Sequence, residues 1–504
     1  MLSDLTRPLR RCLPLVPPLL LVTGAWALAY ANRLSDGFAN VDDYMYAMQA
    51  VGYHDALSHG PAALAHAWKQ SGNNSPLVPM LAAPLAANAS PNRLVLVQLP
   101  ILLGLFFAIL SMARATNMSQ TASKWAAAAG CLSAAVLGWS VMFHFAVATT
   151  ALLVACMAAY LGSCRLRSTR HALALGVAVG GLSLSRVVAV VYIAAVVAVM
   201  AGDMLLDRSD RGLRMRNAVV SSLVAIVVAL PWWLLNGRMA LSYLLGAGYN
   251  DKAGFAPHRS LLGRIAGRAD ALVDLVGPLP LAVLLAVLLL GFATPIGRDR
   301  PQLVMLLSSL TMLLALASSS NRGTAFELPA VVLLVVAGTR VATQVPASSA
   351  ALGAITLVSA TAVCTPVLPI GAGHFLPLGY PGRDQAYAAL GQRVDLSQFR
   401  LINREVAQVI GTRPALLARD DALLNAMSLA ANGVVITGLP FGATALDRKE
   451  LQRVSVVVSG RTLDCYHDGL NLEQADSSLL AAGFEPKREW RLSPHNSVVV
   501  WVRI

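Results

Sequence analysis

The chain has 504 residues, of which 56% are hydrophobic and 13% charged, and its mean hydropathy is +0.61. Soluble globular domains contain about 25% charged residues, so this composition excludes a soluble enzyme, a disordered protein and a fibrous protein. The formal net charge is +13, and its placement along the chain is more informative than its sum. The six cysteines form no CxxC pair and predict neither a disulfide framework nor a zinc site. We therefore expect a polytopic membrane protein.

Long apolar runs predict the membrane-spanning helices, because a span needs about 20 mostly apolar residues. The first run follows three arginines and ends without a good cleavage site, so we interpret it as an uncleaved helix rather than a signal peptide. The runs 125–162 and 171–205 are too long for one span each, and we expect two hairpins with turns near His144 and Arg186. About 11 transmembrane helices are predicted, at residues 13–30, 93–113, 125–142, 145–162, 171–185, 187–205, 217–235, 278–296, 301–319, 325–339 and 347–369.

The arginine clusters predict the side of the membrane on which each loop lies, since cytoplasmic loops carry an excess of Lys and Arg. An even number of predicted spans separates every two consecutive clusters, as is required if all clusters are cytoplasmic. This pattern predicts a cytoplasmic N-terminus and a C-terminus on the outer face of the membrane. The clusters are Arg7/Arg10/Arg11, Arg114/Lys124, Arg165/Arg167/Arg170, Arg208/Arg211/Arg214/Arg216, Arg298/Arg300 and Arg340.

Two large segments are then predicted on the outer face. The first is the loop 31–92, which we assign with the spans to a transmembrane domain of residues 1–369. The second is the tail 370–504, where charge rises and helical and strand patterns alternate, so we predict a periplasmic α/β domain. Its predicted helices are 398–410, 420–431 and 474–482, and its predicted strands are 415–418, 434–437, 454–458 and 498–502.

The outer loop begins with a pair of carboxylates on a predicted helix. Asn40 is a good N-cap, and Asp43 stands three residues later, where a capping box has its partner. Asp42 is not needed for the cap and shares a helical face with Tyr46. Adjacent carboxylates can act as a general base, hydrogen-bond to a substrate or bind a cation. They can equally stabilise the positive end of the helix dipole.

The rest of the loop is predicted to lie on the membrane surface. An amphipathic helix is expected first, and a later segment, Ser75 to Leu81, carries two prolines in an apolar run after polar amides. Prolines in such a run favour a re-entrant or surface element over a full span. The apolar face of the amphipathic helix is Tyr46, Ala50, Tyr53 and Leu57.

These features together resemble the glycosyltransferases of superfamily C, which include the protein O-mannosyltransferases and the bacterial aminoarabinose transferase of lipid A. The resemblance covers residues 13–340 and rests on a combination of short motifs. The chain departs from the family at the second outer turn, where the family often has an acidic residue and this chain has Met142-Phe143-His144. The matching motifs are Asp42-Asp43-x-x-Tyr46, Ser75-Pro76-Leu77-Val78-Pro79-Met80-Leu81, Gly180-Gly181-Leu182-Ser183-Leu184-Ser185-Arg186, Leu230-Pro231-Trp232-Trp233, and Arg322 with Leu328-Pro329.

The resemblance implies an inverting hexosyl- or pentosyltransferase of the membrane. Such an enzyme moves a sugar from a polyprenyl-phosphate-linked donor to a periplasmic lipid, glycan or protein. Asp42 and Asp43 are then the candidate catalytic residues, with Asp42 as the base that takes the acceptor proton. Tyr46 and Asn74 are candidate substrate contacts. Neither a cofactor nor nucleic acid is expected.

Arg186 and Arg322 are the candidate ligands of the donor phosphate. Arg186 falls at a predicted outer turn, where Arg is uncommon, and an ionisable residue near membrane depth indicates function. A guanidinium group matches two phosphate oxygens at once, although an Arg at a helix end can also simply extend its charge to the interface. Arg322 lies in a tight turn predicted on the same side.

Other polar and aromatic residues have simpler interpretations. Trp232 and Trp233 end a predicted span and indicate an aromatic belt. The basic outer loop 236–276, which includes Arg264 and Arg268, can contact a phosphate-bearing acceptor, anionic lipids or solvent alone. No ligand spacing predicts a metal site, although three histidines lie near acidic residues of the first loop, namely His54, His59 and His66.

Three other classes of protein remain open from the residues alone. A transporter or lipid flippase usually shows paired halves and charges at the membrane midplane, whereas this chain has no visible repeat and carries its charges in loops. A polysaccharide polymerase or ligase more typically has its large outer loop late in the chain. A nonenzymatic scaffold with a periplasmic domain would leave the Asp42–Asp43 pair unexplained.

Overall fold

The computed structural model of the protein describes most of the chain, and for some of these residues, 41–44 among them, it describes the backbone alone. Two compact units are present. The first comprises Met1–Asn32, Tyr53–Ala82 and Val95–Gly382, and the second comprises Arg33–Gly52, Ala83–Leu94 and Arg383–Ile504. The described residues are 15–31, 41–88, 91–207, 209–249, 260–319, 321, 325–364, 396–419, 424, 429, 432–434, 436–438, 445–461, 472–493 and 496–504.

Apolar helices make up nearly all of the first unit, and every run predicted to span the membrane contains one. The predicted hairpin turns are also present, since helices end at Trp139 and Ser185 and new helices begin at Ala146 and Ala189. Residues 41–52 of α2 and 91–94 of α5 belong instead to the second unit. The helices before the C-terminal domain are α1 Val16–Ala31, α2 Val41–His59, α3 Pro61–Gln70, α4 Leu77–Ala82, α5 Pro91–Val95, α6 Gln98–Ala115, α7 Gln120–Leu132, α8 Ala134–Trp139, α9 Ala146–Gly162, α10 Thr169–Ser185, α11 Ala189–Leu205, α12 Arg211–Tyr249, α13 Leu261–Val276, α14 Pro278–Gly291, α15 Arg300–Ala317, α16 Leu328–Ala342 and α17 Pro346–Cys364.

Several of these helices have the length and composition of membrane spans. Within the described residues, three helices are long enough and apolar enough to cross a membrane, namely Asn92–Ala115, Arg211–Gly246 and Arg300–Ala317. Helices α13 and α14 are long and apolar enough only when they are taken together. They meet at an angle of 107° at Gly277, whose φ is +89°. Other apolar helices are shorter, including α1, α9, α11 and α16. The chain is therefore a polytopic helical protein, and the number of about 11 spans stays a prediction.

Three of the predicted cytoplasmic arginine clusters meet at one end of the helical unit. Asp203 accepts hydrogen bonds from Arg165 Nη2 at 3.0 Å and from Arg300 Nε at 2.9 Å. Asp207 lies 3.0 Å from Arg165 Nη1 and 3.8 Å from Arg214 Nη1. Because these arginines come from separate clusters, the contacts place the three clusters on the same side of the helices. The charge pattern predicted that arrangement.

Arg340, which forms the last cluster, contacts residues next to two earlier clusters. This residue forms a two-pronged ion pair with Asp299, with one Nη1–Oδ1 distance of 2.7 Å. Its Nε also donates to the carbonyl oxygen of Thr116 at 3.1 Å. Thr116 follows α6, which contains Arg114. These contacts therefore place the Arg340 cluster next to the Arg114/Lys124 cluster.

Reporter fusions test the side of the membrane to which this end belongs. Alkaline phosphatase should be active when it is fused at Gly60 or Pro440 and inactive when it is fused at Ser209, because the charge pattern puts only Ser209 in the cytoplasm. Phosphatase activity in intact cells measures the location. Inactivity of the Pro440 fusion would contradict the odd number of spans.

The C-terminal part of the second unit is an α/β domain. Its sheet has the strand order β2-β1-β3-β5-β4, with β1 parallel to β2 and β3 and with β5 antiparallel to β3 and β4. Alternate residues of β3 pack on opposite faces: Val456 and Val458 lie in a core with α18, and Val457 lies in a core with α20. The elements are α18 Leu396–Ile410, β1 Ala415–Arg419, β2 Thr437–Gly438, α19 Arg448–Arg453, β3 Val456–Arg461, α20 Leu472–Ala481, β4 Phe484–Ser493 and β5 Asn496–Arg503.

The predicted α/β pattern of the tail is largely present. The four predicted strands overlap β1, β2, β3 and β5, and two predicted helices overlap α18 and α20. The predicted helix 420–431 lies outside the described residues except at 424 and 429. Strand β4 was not predicted, because charged residues interrupt its pattern. It is an edge strand, and charged side chains are usual on such strands.

Candidate active site

Arg186 stands where α10 ends and the chain turns into α11. Its backbone is extended, with φ −163° and ψ 141°, and its carbonyl oxygen accepts from the N–H of Ala189 at 3.0 Å. The residue is only 9% exposed. Its guanidinium carbon lies 4.3 Å from the centroid of the Phe326 ring.

The Arg186 guanidinium is unpaired within the part of the chain that the structure describes. No carboxylate forms an ion pair with it, and no side-chain hydrogen bond is made by it, among those residues. Buried charges in proteins are usually paired. A buried cation of this kind is therefore suited to receive an anion from outside the chain.

Phe326 lies in a short turn that precedes α16. Ala325 has φ +53°, a left-handed conformation that residues other than glycine seldom adopt. Tyr192 donates its hydroxyl to the carbonyl oxygen of Phe326 at 2.9 Å. The next residue, Glu327, is 2% exposed and pairs with Arg268, with an Nη1–Oε1 distance of 2.8 Å. The turn thus carries an aromatic ring and a carboxylate that is already neutralised.

His144 occupies the second predicted outer turn, between α8 and α9, and is fully buried. The N–H of Ala146 donates to His144 Nδ1 at 3.1 Å, and Gln98 Nε2 donates to the His144 carbonyl oxygen at 2.8 Å. Burial lowers the pKa of His144 below its usual range, and the positive charge of Arg186 lowers it further. Because Nδ1 accepts a hydrogen bond, the neutral ring carries its proton on Nε2. His144 is therefore a neutral donor close to Arg186.

This state of His144 predicts a pH-dependent stability. Unfolding releases the imidazole to its ordinary pKa of about 6.5, so its contribution is fully present above that pH and is lost as the pH falls below it. The loss is up to about 1.4 kcal/mol per pH unit.

Thermal unfolding of the purified protein measures this effect. Between pH 7.5 and 5.5, the unfolding temperature should decrease less for His144→Asn than for wild type. Equal pH dependence in wild type and His144→Asn would contradict the assignment.

Asn74 lies in the turn that joins α3 to α4. Its N–H donates to the carbonyl oxygen of Ser71 at 3.0 Å, and Asn74 itself is half-buried. The turn is held against α12, because Trp232 Nε1 donates to Ser71 Oγ at 3.3 Å and Asn236 Nδ2 donates to the Trp68 carbonyl oxygen at 2.8 Å.

The same tryptophans pack against the residues that flank Arg186. Trp232 and Trp68 share an apolar cluster with Leu184 and Val187. The structure therefore joins the Asn74 turn and the Arg186 turn through one cluster. The aromatic-belt interpretation is wrong for Trp232, which is 1% exposed in the interior of a helix that continues to Tyr249.

The carboxylate pair begins a helix as predicted. Helix α2 starts at Val41, so Asp42 and Asp43 lie in its first turn, while their side chains and Asn40 lie outside the described part of the chain. On the predicted apolar face, Tyr46 is 8% and Tyr53 1% exposed. Leu57 is 48% exposed, so the buried face is shorter than predicted.

The last predicted phosphate ligand and the histidines of the first loop complete the set of candidate residues. Arg322 lies outside the described residues. Among the residues that are described, no group of three or more His, Cys, Asp or Glu side chains is placed to hold a metal ion. His59 Nδ1 is 2.7 Å from the carbonyl oxygen of Asp55, and His66 Nε2 is 2.9 Å from Gln70 Nε2.

The residues that surround Phe326, the ring beside Arg186, were not recognised from the sequence. Arg268 was placed in a basic outer loop, whereas the structure buries it at 4% exposure against Glu327. The two residues are 59 positions apart, and a single sequence contains no signal for such a distant pair. The sequence offered one hint of a buried pair near Phe326. The next residue, Glu327, is an acidic residue at the start of an apolar helix.

The architecture defines a class of polytopic membrane protein with an α/β domain after the helical region. No protein-family model and no curated protein sequence matches the chain. Among solved structures, ArnT from Cupriavidus metallidurans bound to undecaprenyl phosphate is similar, with a TM-score of 0.59 at 13% identity over 95% of this chain and 97% of that chain. The apo state of the same ArnT gives a TM-score of 0.57 at 13% identity and the same coverage.

A weaker likeness exists to an oligosaccharyltransferase from Archaeoglobus fulgidus tethered to an acceptor peptide. It has 13% identity over 88% of this chain and 69% of that chain, and its TM-score of 0.46 is too low to indicate a shared fold. The likeness to ArnT shows that the two chains share a fold over nearly their whole length. The fold that the resemblance from short motifs implies is thus confirmed, and the likeness concerns the fold alone.

Proposed function

We propose that the protein is an inner-membrane glycosyltransferase of superfamily C. It takes a hexosyl or pentosyl group from a polyprenyl-phosphate-linked donor and passes the sugar to a periplasmic lipid, glycan or protein. The observation that carries the proposal is Arg186, which is 9% exposed as a residue and whose guanidinium lies over Phe326 without an ion-pair partner among the described residues. A structural neighbour, ArnT, was solved with undecaprenyl phosphate, a ligand with the anionic group that Arg186 would bind.

In the proposed reaction, the donor phosphate is the leaving group. The Asp42 carboxylate accepts the proton of the acceptor hydroxyl, and the acceptor oxygen attacks the anomeric carbon of the sugar. The bond from that carbon to the phosphate oxygen breaks, with inversion, and the electron pair leaves on the polyprenyl phosphate. Arg186 stabilises this developing negative charge through N–H donors fixed before the reaction starts.

The remaining candidate residues orient the reactants. Tyr46 and Asn74 contact the substrate, and Asp43 caps α2 and orients Asp42. His144, neutral and with its proton on Nε2, is suited to donate a hydrogen bond and not to act as a base. The acidic residue that the family often has at that turn is therefore replaced by an uncharged donor.

The proposal is tested by the glycans and lipids of cells that lack the protein. Mass spectrometry should show that a deletion strain lacks a sugar on a periplasmic lipid, glycan or protein. Plasmid-borne wild type should restore that sugar, and Asp42→Asn at equal membrane abundance should not. Identical glycans and lipids in the wild-type and deletion strains would contradict the proposal.

A further inference from the structure

We infer that Phe326 is a positioning residue for Arg186, and that the buried Arg268–Glu327 pair and the Tyr192 hydroxyl hold Phe326 in place. The inference rests on the proposed function, because it assigns how the ligand of the donor phosphate is oriented. It concerns residues outside the motifs that predicted the site.

The contact between Arg186 and Phe326 suits a phosphate ligand. A cation within about 6 Å of an aromatic centroid is attracted by the ring face, and here the distance is 4.3 Å. A guanidinium group is planar, and its N–H donors point outward in that plane. A ring that lies against the guanidinium carbon therefore restrains the group without forming an ion pair with its N–H donors, which a carboxylate partner would do.

Contacts from three helices, α11, α13 and α15, hold the turn that carries Phe326. Arg268 of α13 donates to Glu327 at 2.8 Å and to the carbonyl oxygen of Leu316 in α15 at 2.9 Å. The same guanidinium also donates to the carbonyl oxygen of Asn321. Tyr192 of α11 donates to the carbonyl oxygen of Phe326 itself at 2.9 Å. These contacts hold the turn at Phe326 and Glu327, directly after Ala325 with its φ of +53°.

The ion pair also determines the charge near Phe326. The Arg268 and Glu327 side chains are 5% and 3% exposed, so each neutralises the other away from solvent. Glu327 is therefore engaged by Arg268, and among the described residues it forms no ion pair with Arg186. The Arg268 guanidinium is thus bound within the protein, and the Arg186 guanidinium remains available to an anion.

Binding of undecaprenyl phosphate to the purified full-length protein tests the inference. Phe326→Leu removes the ring and should weaken binding by about tenfold, whereas Phe326→Tyr keeps the ring and should bind like wild type. Phe106→Leu is the matched control, because Phe106 is also a buried aromatic residue, 0% exposed against 9% for Phe326, and it packs on Phe107 in α6 at 5.5 Å. That control should bind like wild type.

A milder pair of variants keeps the test valid if Phe326→Leu does not fold. Tyr192→Phe removes only the hydroxyl that holds the Phe326 carbonyl, and it should weaken binding by about threefold. Tyr160→Phe is its control, because the Tyr160 hydroxyl bonds to Asp203 at 2.6 Å, among the arginine clusters. That variant should bind like wild type.

The outcomes separate the inference from the proposed function. Wild-type affinity in folded Phe326→Leu or in Tyr192→Phe, together with weak binding by Arg186→Ala, would overturn the positioning role alone. Equal weakening in the Phe106→Leu control would also overturn it, since loss of any buried ring would then suffice. Absence of binding by wild type, or unchanged binding by Arg186→Ala, would overturn the proposed function.

Discussion

Asp42→Asn is expected to reduce sugar transfer by about 10²–10⁴-fold, the usual contribution of a general base. The amide keeps the shape of the side chain but cannot take the acceptor proton. Because Asp42 lies in the first turn of α2, the variant should remain folded in the membrane. The measurement is turnover of the purified variant with a polyprenyl-phosphate sugar.

Two further substitutions on the same helix show whether the effect belongs to Asp42. Asp43→Asn should cost less activity if Asp43 mainly caps the helix, with a stability change on the order of 1 kcal/mol. Asp55→Asn removes an exposed carboxylate of α2 and should have wild-type turnover. Turnover of Asp42→Asn near that of wild type would remove Asp42 as the base.

Arg186→Lys should impair donor use, and Arg186→Ala should impair it more. Lysine keeps the positive charge but loses the fork that binds two phosphate oxygens. A hydrogen bond to a charged group is worth about 1.5–3 kcal/mol, which corresponds to about ten- to more than a hundredfold in kcat/KM. Kinetics with varied donor and, separately, varied acceptor measure where the loss falls, and we expect it on the donor side.

The alternative role of Arg186 makes a different prediction. An arginine that only extends its charge to the membrane interface tolerates lysine, since both side chains reach that depth. Arg238→Ala is a control on an exposed arginine of α12 and should leave kcat/KM unchanged. Equal efficiency of wild type, Arg186→Lys and Arg186→Ala would leave Arg186 as an ordinary turn residue.

The helical architecture was predictable because apolar runs and charge clusters are local features of the sequence. The run 171–205 contains an interruption at Arg186, and the structure ends α10 and begins α11 there. The arginine clusters were predicted on one side, and the contacts of Asp203 and Asp207 place three of them together. These predictions required no knowledge of which helices are neighbours.

Features that depend on distant contacts were not predictable. Trp232 followed a proline at the end of an apolar run, and only the packing of α3 against α12 shows that it is buried. Arg268 looked like one of several basic loop residues until Glu327 was placed 2.8 Å away. Strand β4 lacks an apolar alternation because one of its edges has no neighbouring strand in the sheet.

The central claim is that this protein transfers a sugar from a polyprenyl phosphate. The most direct test incubates the purified full-length protein with a panel of synthetic polyprenyl-phosphate sugars and a membrane extract of the deletion strain. Mass spectrometry then measures donor, free polyprenyl phosphate and acceptor. We predict that one donor is consumed, that an equal amount of polyprenyl phosphate is released, and that an acceptor gains the mass of one sugar, with Asp42→Asn and Arg186→Ala largely inactive. Full recovery of every donor with folded wild-type protein, or equal consumption by Asp42→Asn, would contradict the account.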